Sequence, residues 1–322
     1  MAKLPELDYA AEADRIGERL RHLVFNELHR RGMVVAMSGG IDSSCCAALA
    51  VRALGKDRVF GLLLPERDSS GVSSRLGKQL AEHLGIAHTL HDITPALEAL
   101  GCYASQVEAL KRTIPEFGPG WKFKLAISDA MGGKVSITKV VAEDPQGQRI
   151  EKRLPAADYL QIVAATNFKQ RIRKNLEYYH ADRLNYVCTG TPNRLEYDQG
   201  FFVKNGDGAA DVKPIAHLYK TQVYGMARFL GLPEALTTTT PTTDTFSLPQ
   251  GQDEFYFQLP YPQMDLALWH LNEGKPACEL ATELGCDEAA AQRIYANILA
   301  KRRTTAYLHA APLLAVPVPG FH

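Results

Sequence analysis

The sequence predicts an α/β fold, a doubly wound parallel sheet that is flanked by helices on both sides. Short apolar runs alternate with longer segments whose apolar residues recur at helical spacing. One of these runs leads directly into a glycine-rich turn and a helix, as strand-to-helix connections in parallel sheets do. Because the connecting helices cover a parallel sheet, the alternation indicates strands that are buried on both faces.

The predicted elements begin with a helix that leads into the first strand. Apolar positions such as Ile16 and Leu20 share one face, so an amphipathic helix is predicted from about 8 to 31. The apolar run from Met33 predicts a strand, and the helix after it ends at Gly55. The later elements are a strand at 58–65, a helix that carries Leu76, Leu80 and Leu84, a strand at 87–93, a long helix at 156–183 and a strand at 184–189.

A β-hairpin is predicted between two helices. Residues 135–142 and 149–154 flank the turn at Asp144-Pro-Gln-Gly147. A lone hairpin is marginally stable in water, so we expect it to pack on the body of the protein or on a second subunit. We predict a single domain over residues 1–322, with the hairpin inserted at about 134–154 and a helical carboxyl-terminal part at about 262–303.

The composition argues against several classes of partner. The 322 residues include 36 basic and 36 acidic side chains, and this balance disfavours a nucleic-acid partner. No segment approaches the roughly 18 consecutive apolar residues of a membrane helix, and the acidic amino terminus is unlike a secretory signal. We therefore predict a cytoplasmic protein that binds neither membrane nor nucleic acid. The six cysteines form no Cys-x-x-Cys pair and are predicted to be buried free thiols.

The turn after the first strand has the features of a phosphate site. It reads Ser38-Gly39-Gly40-Ile41-Asp42-Ser43. The glycines allow the backbone to approach an anion closely, the hydroxyls and amides can bond phosphate oxygens, and the following helix adds its positive end. The string lacks the patterns of Walker-type ATPases and of dinucleotide dehydrogenases. It therefore predicts a pyrophosphate cradle of another type.

A second polar segment follows the strand at 184–189. Glu196 lies shortly after this strand, and residues 200–211 combine glycines, acids and a lysine. The residues alone also allow a polar surface loop. Ligands of parallel sheets bind at the carboxyl ends of strands, where this segment and the cradle are expected to meet. The carboxylates of Asp42 and Glu196 could hold Mg²⁺, which bridges phosphate oxygens and neutralises a leaving pyrophosphate.

Four motifs together resemble the ammonia-dependent NAD synthetases, which are Rossmann-like N-type ATP pyrophosphatases. They occur in family order between about residues 30 and 265, and they are Ser38–Ser43, Thr191–Glu196, Phe201–Asp211 and Pro241-Thr-Thr-Asp244. The resemblance implies a homodimeric ligase with ATP as co-substrate and Mg²⁺ as cofactor. Such a ligase adenylates the nicotinate carboxylate of deamido-NAD, and ammonia then displaces AMP to give NAD, AMP and pyrophosphate.

The resemblance also implies roles for individual residues. The residues implied to bind ATP are Ser38, Gly39, Gly40, Asp42, Ser43, Thr191, Lys220 and Thr242. Those implied to bind deamido-NAD are Arg171, Lys204, Asp211 and Lys301, and those implied to bind the metal are Asp42 and Glu196. Asp42, Glu196 and Lys220 are the implied catalytic residues. Without the resemblance, Lys220 could be a solvated charge at a helix start, and Arg171 could pair with Glu177.

The chain departs from the family pattern mainly on the acyl-substrate side. Ala36 replaces a frequent glycine, Gln170 precedes Arg171 where relatives often carry alanine, and the hairpin at about 134–154 is additional. A related ligase that adenylates a different small carboxylate is therefore the alternative. A helix-turn-helix regulator at 275–303 and a nucleotide sensor without turnover are weaker alternatives.

The nitrogen source is also an expectation from the sequence. The cradle begins at Ser38, so we expect no amino-terminal glutamine-hydrolysing domain. Free ammonia, or ammonia from a separate amidase, would then be the nucleophile.

Overall fold

Strands and helices alternate in the predicted order over the first 90 residues. The computed structural model describes residues 4–127, 138–238, 246–248, 250–251 and 256–320. The strands in these ranges are β1 (Met33–Ala36), β2 (Val59–Leu63), β3 (Ala87–Leu90), β4 (Lys122–Ile127), β5 (Thr138–Glu143), β6 (Arg149–Arg153) and β7 (Val187–Cys188). The helices are α1 (Tyr9–Arg21), α2 (Ile41–Leu54), α3 (Gly71–Leu84), α4 (Thr94–Ala99), α5 (Cys102–Thr113), α6 (Ala156–Leu184), α7 (Arg194–Gln199), α8 (Lys220–Phe229), α9 (Glu234–Thr237), α10 (Tyr261–Asn272), α11 (Ala277–Leu284) and α12 (Glu288–His309).

The central sheet is parallel and has the strand order β3-β2-β1-β7. Met33 of β1 pairs with Val59 of β2 on one side and with Val187 of β7 on the other. Val34 and Val35 are both fully buried, but they belong to different core clusters, because successive side chains of a strand point to opposite faces. Helices α1, α2 and α8 cover the face of Val35, and α4 to α6 cover the face of Val34. The predicted fold class is confirmed.

Several boundaries differ from the sequence prediction. Helix α1 is followed by a π-helical turn, His22–Glu27, in place of one continuous α-helix to residue 31. Strand β7 is shorter than predicted, because α6 continues to Leu184 and Asn185 ends it in the left-handed conformation with φ of 56°. The region of the predicted carboxyl-terminal helical part, about 262–303, contains α10 to α12.

A second, antiparallel sheet has the strand order β4-β5-β6. Strands β5 and β6 are those of the predicted hairpin, whose residues 134–137 lie outside the described residues. Strand β4 pairs with β5 along its whole length and is not apparent from the sequence pattern. Phe123 and Leu125 of β4 pack with Leu110 of α5 and Ile162 of α6 in one buried cluster. The expected packing on the body of the protein is therefore observed.

The outer edge of β4 is bonded to a distant segment. Phe123 N donates to Ser247 Oγ at 2.9 Å, and Leu248 N donates to Phe123 O at 3.0 Å. Gln250 Nε2 donates to Leu125 O at 2.7 Å. These bonds satisfy edge groups of β4 and tie the small sheet to the chain that leads to α10.

The cysteine prediction is correct for four of the six residues. Cys45, Cys46, Cys102 and Cys188 are buried free thiols. Cys278 and Cys286 are exposed, because they lie at the first turn of α11 and in the turn that follows it. Within the described residues, no helix combines the length and apolar character that a membrane crossing needs.

The burial of Phe123 in the small sheet predicts that this side chain contributes to the stability of the protein. Phe123 is 5% exposed and its ring lies 5.5 Å from that of Phe246. Phe123→Ala should lower the free energy of unfolding by roughly 3–5 kcal/mol, because it removes buried area and leaves a cavity. Chemical denaturation measures the change. The control is Leu100→Ala, at a 53% exposed position, which should change it by less than about 0.5 kcal/mol.

Candidate active site

The glycine-rich turn connects the carboxyl end of β1 to the first residue of α2. Gly40 N donates to Ser38 Oγ at 3.3 Å, and the hydroxyls of Ser38 and Ser43 lie 3.2 Å apart. Helix α2 begins at Ile41 and directs its unpaired amides towards this turn. The turn therefore combines hydroxyls, amides and a helix amino terminus, which are suitable ligands for phosphate oxygens.

Gly39 has a steric role in the turn. Its φ of +78° lies in the left-handed region, and an added Cβ would lie 2.5 Å from the carbonyl oxygen of Ser73. Any other residue would therefore push the turn away from the start of α3.

The turn after β7 lies beside the cradle, because β1 and β7 are neighbours in the sheet. Asn193 connects the two turns. Its Nδ2 donates to Asp42 Oδ1 at 3.0 Å and to Glu196 Oε2 at 3.0 Å. Its backbone N also donates to Glu196 Oε2, at 3.1 Å. Asp42 and Glu196 thus share one hydrogen-bonding partner, and their carboxylates are directed to the same place.

Lys220 completes this group from the first residue of α8. Its Nζ donates to Asp42 Oδ2, and its side chain is 0% exposed, whereas that of Asp42 is 15% exposed. The alternative of a solvated charge is wrong for Lys220. A buried ammonium is stable only when an opposite charge accompanies it, and Asp42 provides that charge.

Burial and mutual charge shift the pKa values of the group. Burial, and then the negative charge of Asp42, raise the pKa of Glu196 to about 8. Burial acts to lower the pKa of Lys220, but the charges of Asp42 and Glu196 outweigh it and raise that pKa. With this pKa, Glu196 is protonated at neutral pH and lies beside the Lys220–Asp42 salt bridge.

The donor set suits a hard cation that also takes ligands from a substrate. Within the described ranges, no cluster of three or more His, Cys, Asp or Glu side chains could hold a metal ion. Asp42 and Glu196 offer two converging carboxylates, and Mg²⁺ commonly uses one or two carboxylates together with waters and phosphate oxygens. The raised pKa of Glu196 indicates negative charge that a cation would compensate. These residues therefore fit Mg²⁺ bound together with a nucleotide.

One of the two threonines implied to bind ATP lies in the described part of the chain. Thr191 is partly buried and lies between β7 and α7, two residues before Asn193. Thr242 lies outside the described residues.

The four residues implied to bind the acyl substrate do not form a single cluster. Arg171 Nε donates to Lys204 O at 3.3 Å, so these two lie together, and the alternative pairing with Glu177 is not formed. Lys204 Nζ donates to Tyr307 O at 2.8 Å and to Ala310 O at 2.9 Å, at the end of α12.

Asp211 and Lys301 have other partners. Asp211 accepts bonds from Cys188 N at 2.7 Å and from Tyr178 Oη at 3.2 Å, at the carboxyl end of β7. Lys301 Nζ donates to Tyr256 O at 2.7 Å. Burial lowers the pKa of Lys301 to about 8.

The sequence patterns do not single out two parts of the site. Asn193 lies three residues before Glu196 at the start of α7, and this helix-cap spacing is the signal that could identify it. Beneath Asp211, Lys174 Nζ pairs with Glu177 Oε2 at 2.6 Å and donates to Cys188 Sγ at 3.4 Å. This buried contact supports the carboxyl end of β7 from α6, and no sequence pattern indicates it.

Comparisons with known proteins identify the family of the chain. A family model described as NAD synthase matches residues 13–114 and 133–305. The chain belongs to the NAD synthase family. The family model leaves residues 115–132 unmatched, and β4 lies within this gap. Membership confirms the predicted family and the prediction of a ligase.

Two relatives match nearly the whole chain. The NH(3)-dependent NAD(+) synthetase of Mesorhizobium japonicum (strain LMG 29417 / CECT 9101 / MAFF 303099) is 56% identical over 97% of this chain and 98% of its own length. The synthetase of the same name from Rhizobium meliloti (strain 1021) is 53% identical over 97% of this chain and 94% of its own length.

Solved structures share the fold of this NAD synthase family member. The NH3-dependent NAD synthetase from Campylobacter jejuni subsp. jejuni NCTC 11168 has a TM-score of 0.63 at 22% identity and covers 96% of this chain and 100% of its own. An NMN synthetase from Francisella tularensis has a TM-score of 0.66 at 22% identity, with 98% and 100% covered. The NAD+ synthetase from Burkholderia pseudomallei has a TM-score of 0.56 at 27% identity, with 94% and 92% covered.

Lys301 generates a prediction about the pH dependence of stability. Its folded-state pKa of about 8 lies below the model-compound value of 10.5. Between these values the unfolded chain binds a proton that the folded chain has lost, so the stability of the wild type rises with pH over this window.

The rise should be on the order of 3 kcal/mol relative to Lys301→Met. Lys301→Arg is the matched control, because a guanidinium stays charged and should show no such rise. Urea unfolding at pH 7.5, 9 and 10.5 measures the three curves. Parallel curves for all three proteins would contradict the role of burial.

Proposed function

We propose that this chain is an ammonia-dependent NAD synthetase that adenylates the nicotinate carboxylate of deamido-NAD and amidates it with ammonia. The products are NAD, AMP and pyrophosphate. The observation that carries the proposal is the joint placement of Asp42, Glu196 and Lys220 beside the glycine-rich cradle. This set can bind a triphosphate and compensate the charge that develops when its α-phosphorus is attacked.

Adenylation solves the chemical problem of amide formation. A carboxylate is a poor electrophile, so a carboxylate oxygen first attacks the α-phosphorus of ATP and releases pyrophosphate. Ammonia then attacks the acyl carbon, loses a proton and displaces AMP. Neither step needs a protein nucleophile, because the substrates supply both nucleophiles and the enzyme positions them. Burial raises the pKa of the Cys46 thiol well above its ordinary value, so this neighbour of the site is unsuited to nucleophilic attack.

The cradle and Lys220 would both bind the phosphates of ATP. The amides and hydroxyls of Ser38 to Ser43 would bond the phosphate oxygens, and Lys220 would place its ammonium on them. When ATP enters, Lys220 exchanges part of its bond to Asp42 for phosphate oxygens, and Asp42 becomes available to the cation.

Mg²⁺ is the cofactor that this donor set favours. We propose that Asp42 and Glu196 hold it, with waters and phosphate oxygens as the other ligands. The ion would supply compensation for the charge of the leaving pyrophosphate. Because Glu196 has a pKa of about 8, it would lose its proton as the ion binds.

The departures of this chain from the family pattern lie mainly on the acyl-substrate side. We propose that Arg171, Lys204, Asp211 and Lys301 contact deamido-NAD. Lys204 and Lys301 now bond backbone carbonyls, so the substrate would replace these bonds. The fold alone does not determine which carboxylate is adenylated, since a protein described as an NMN synthetase has the same fold. A different small carboxylate therefore stays the alternative.

A homodimer is the proposed assembly. The 29-residue helix α6 carries three exposed apolar side chains, those of Leu160, Phe168 and Tyr179, with exposed fractions of 63%, 38% and 60%. Exposed apolar side chains on a long helix offer a surface for an isologous contact with a second copy. The ammonia source and the cytoplasmic location stay predictions from the sequence.

Product analysis tests the proposed reaction. The protein is incubated with ATP, Mg²⁺, ammonium and deamido-NAD, and NAD is detected by mass. Nicotinate mononucleotide and aspartate serve as competing acyl substrates. Amidation of nicotinate mononucleotide without amidation of deamido-NAD would favour the alternative ligase and overturn the proposed substrate.

Asp42→Asn should lower pyrophosphate release about 100-fold or more, because it removes the carboxylate that pairs with Lys220 and faces the cation. The fold should be retained, as measured by circular dichroism, because the neighbouring Glu196 carboxylate can still compensate the buried Lys220 ammonium. Asp14→Asn is the control, because Asp14 is 65% exposed and pairs only at the surface with Arg52. The control should stay within about twofold of the wild type. Unchanged turnover in Asp42→Asn would refute the assigned role.

Phe168→Asp should weaken self-association about 10-fold or more, because it places a charge among the exposed apolar side chains of α6 that are proposed to form the contact. Light scattering coupled to gel filtration measures the mass across a dilution series. Val72→Asp, at a 46% exposed position on α3, is the control and should keep the wild-type mass. A wild type that stays monomeric at all concentrations would exclude the dimer.

A further inference from the structure

The buried carboxylate of Asp265 lies outside the site described above but bonds directly to the helix that carries Lys220. Asp265 belongs to α10 and is 0% exposed. Its Oδ1 accepts a bond from Lys220 N at 3.1 Å. Its Oδ2 accepts bonds from Thr221 N and Thr221 Oγ1, both at 2.7 Å. Both oxygens of this side chain are therefore bonded to the first two residues of α8.

Helix α8 needs this partner, because the first amides of a helix have no intrahelical acceptor. The residue before α8 is Tyr219, which is not a favourable N-cap. The acceptor comes instead from α10, and a carboxylate at this position also interacts favourably with the positive end of the helix.

The same face of α10 also contacts the other end of Lys220. Tyr261 lies four residues before Asp265, and residues at this spacing share a helix face. Its ring centre lies 5.3 Å from Lys220 Nζ. Asp265 thus bonds the backbone of Lys220, and Asp42 bonds its ammonium. The ring of Tyr261 lies beside the same ammonium.

We propose that Asp265 is a positioning residue for the reaction, because it holds the first turn of α8 in the orientation that directs Lys220 to Asp42 and to the ATP phosphates. The inference rests on the proposed function of Lys220. Asp265 does not touch the reacting atoms, and it acts through Lys220. A purely structural cap would stabilise α8 without being coupled to the lysine side chain.

A double-mutant cycle distinguishes these two roles. Asp265→Asn should lower kcat/KM for ATP by about 10-fold to 100-fold in the wild type, because a displaced Lys220 no longer reaches the phosphates. In a Lys220→Ala background the same change should cost less than about twofold, because no ammonium is left to position. The thermal midpoint should fall equally in both backgrounds.

Two further variants complete the test. Thr221→Val removes one of the three bonds and should lower kcat/KM for ATP by about threefold to 10-fold, again only when Lys220 is present. If Asp265→Asn does not fold, Thr221→Val is used in its place in the double-mutant cycle. Glu283→Gln weakens another polar contact of α10, His270 Nε2 to Glu283 Oε2 at 3.0 Å, and should leave kcat/KM unchanged.

The outcomes separate this inference from the proposed function. Equal losses from Asp265→Asn in both backgrounds, or no loss in a folded wild-type background, would overturn the positioning role. A wild-type protein that makes no NAD from deamido-NAD overturns the proposed function instead. In that case calorimetry measures the ATP affinity of the wild type, Asp265→Asn, Lys220→Ala and the double variant. The positioning role then requires that Asp265→Asn weakens ATP binding only when Lys220 is present.

Discussion

The buried ion pair between Lys220 and Asp42 is the interaction on which the rest of the site depends. Lys220 is fully buried, and a buried ammonium without a partner would destabilise the fold by several kcal/mol. Asp42 supplies the charge, and Asn193 joins that carboxylate to Glu196. The three ionisable groups therefore form one network, in which movement of any member changes the electrostatic balance of the others. Burial and then the charge of Asp42 raise the pKa of Glu196 within this network.

The fold positions this network through a small number of contacts. Strands β1 and β7 are adjacent and parallel, so the cradle and the turn that carries Asn193 emerge side by side at one edge of the sheet. Helix α8 brings Lys220 to that edge, and α10 holds the start of α8 through Asp265. A carboxyl-terminal helix is thereby bonded to the residue whose side chain lies beside an amino-terminal turn.

The family model matches only part of the small antiparallel sheet, since it includes β5 and β6 but not β4. Strand β4 lies in the segment that the family model leaves unmatched, yet it pairs with β5 and packs on α5 and α6. Its outer edge bonds Ser247, Leu248 and Gln250. Strand β4 is therefore integrated into the body of the protein and contacts the chain that leads to α10.

The sequence by itself determined the parallel α/β architecture, the glycine-rich turn and the family, because helical and strand periodicities and short motifs are local properties of the chain. It also indicated that Asp42 and Glu196 would meet, since both follow strand ends. Only the tertiary structure decided the burial of Lys220, the bridge through Asn193, the strand β4 and the link from Asp265. Asp42 is separated from Asn193 by 151 residues and from Lys220 by 178. Contacts over such separations depend on how the helices pack, and no local pattern records that packing.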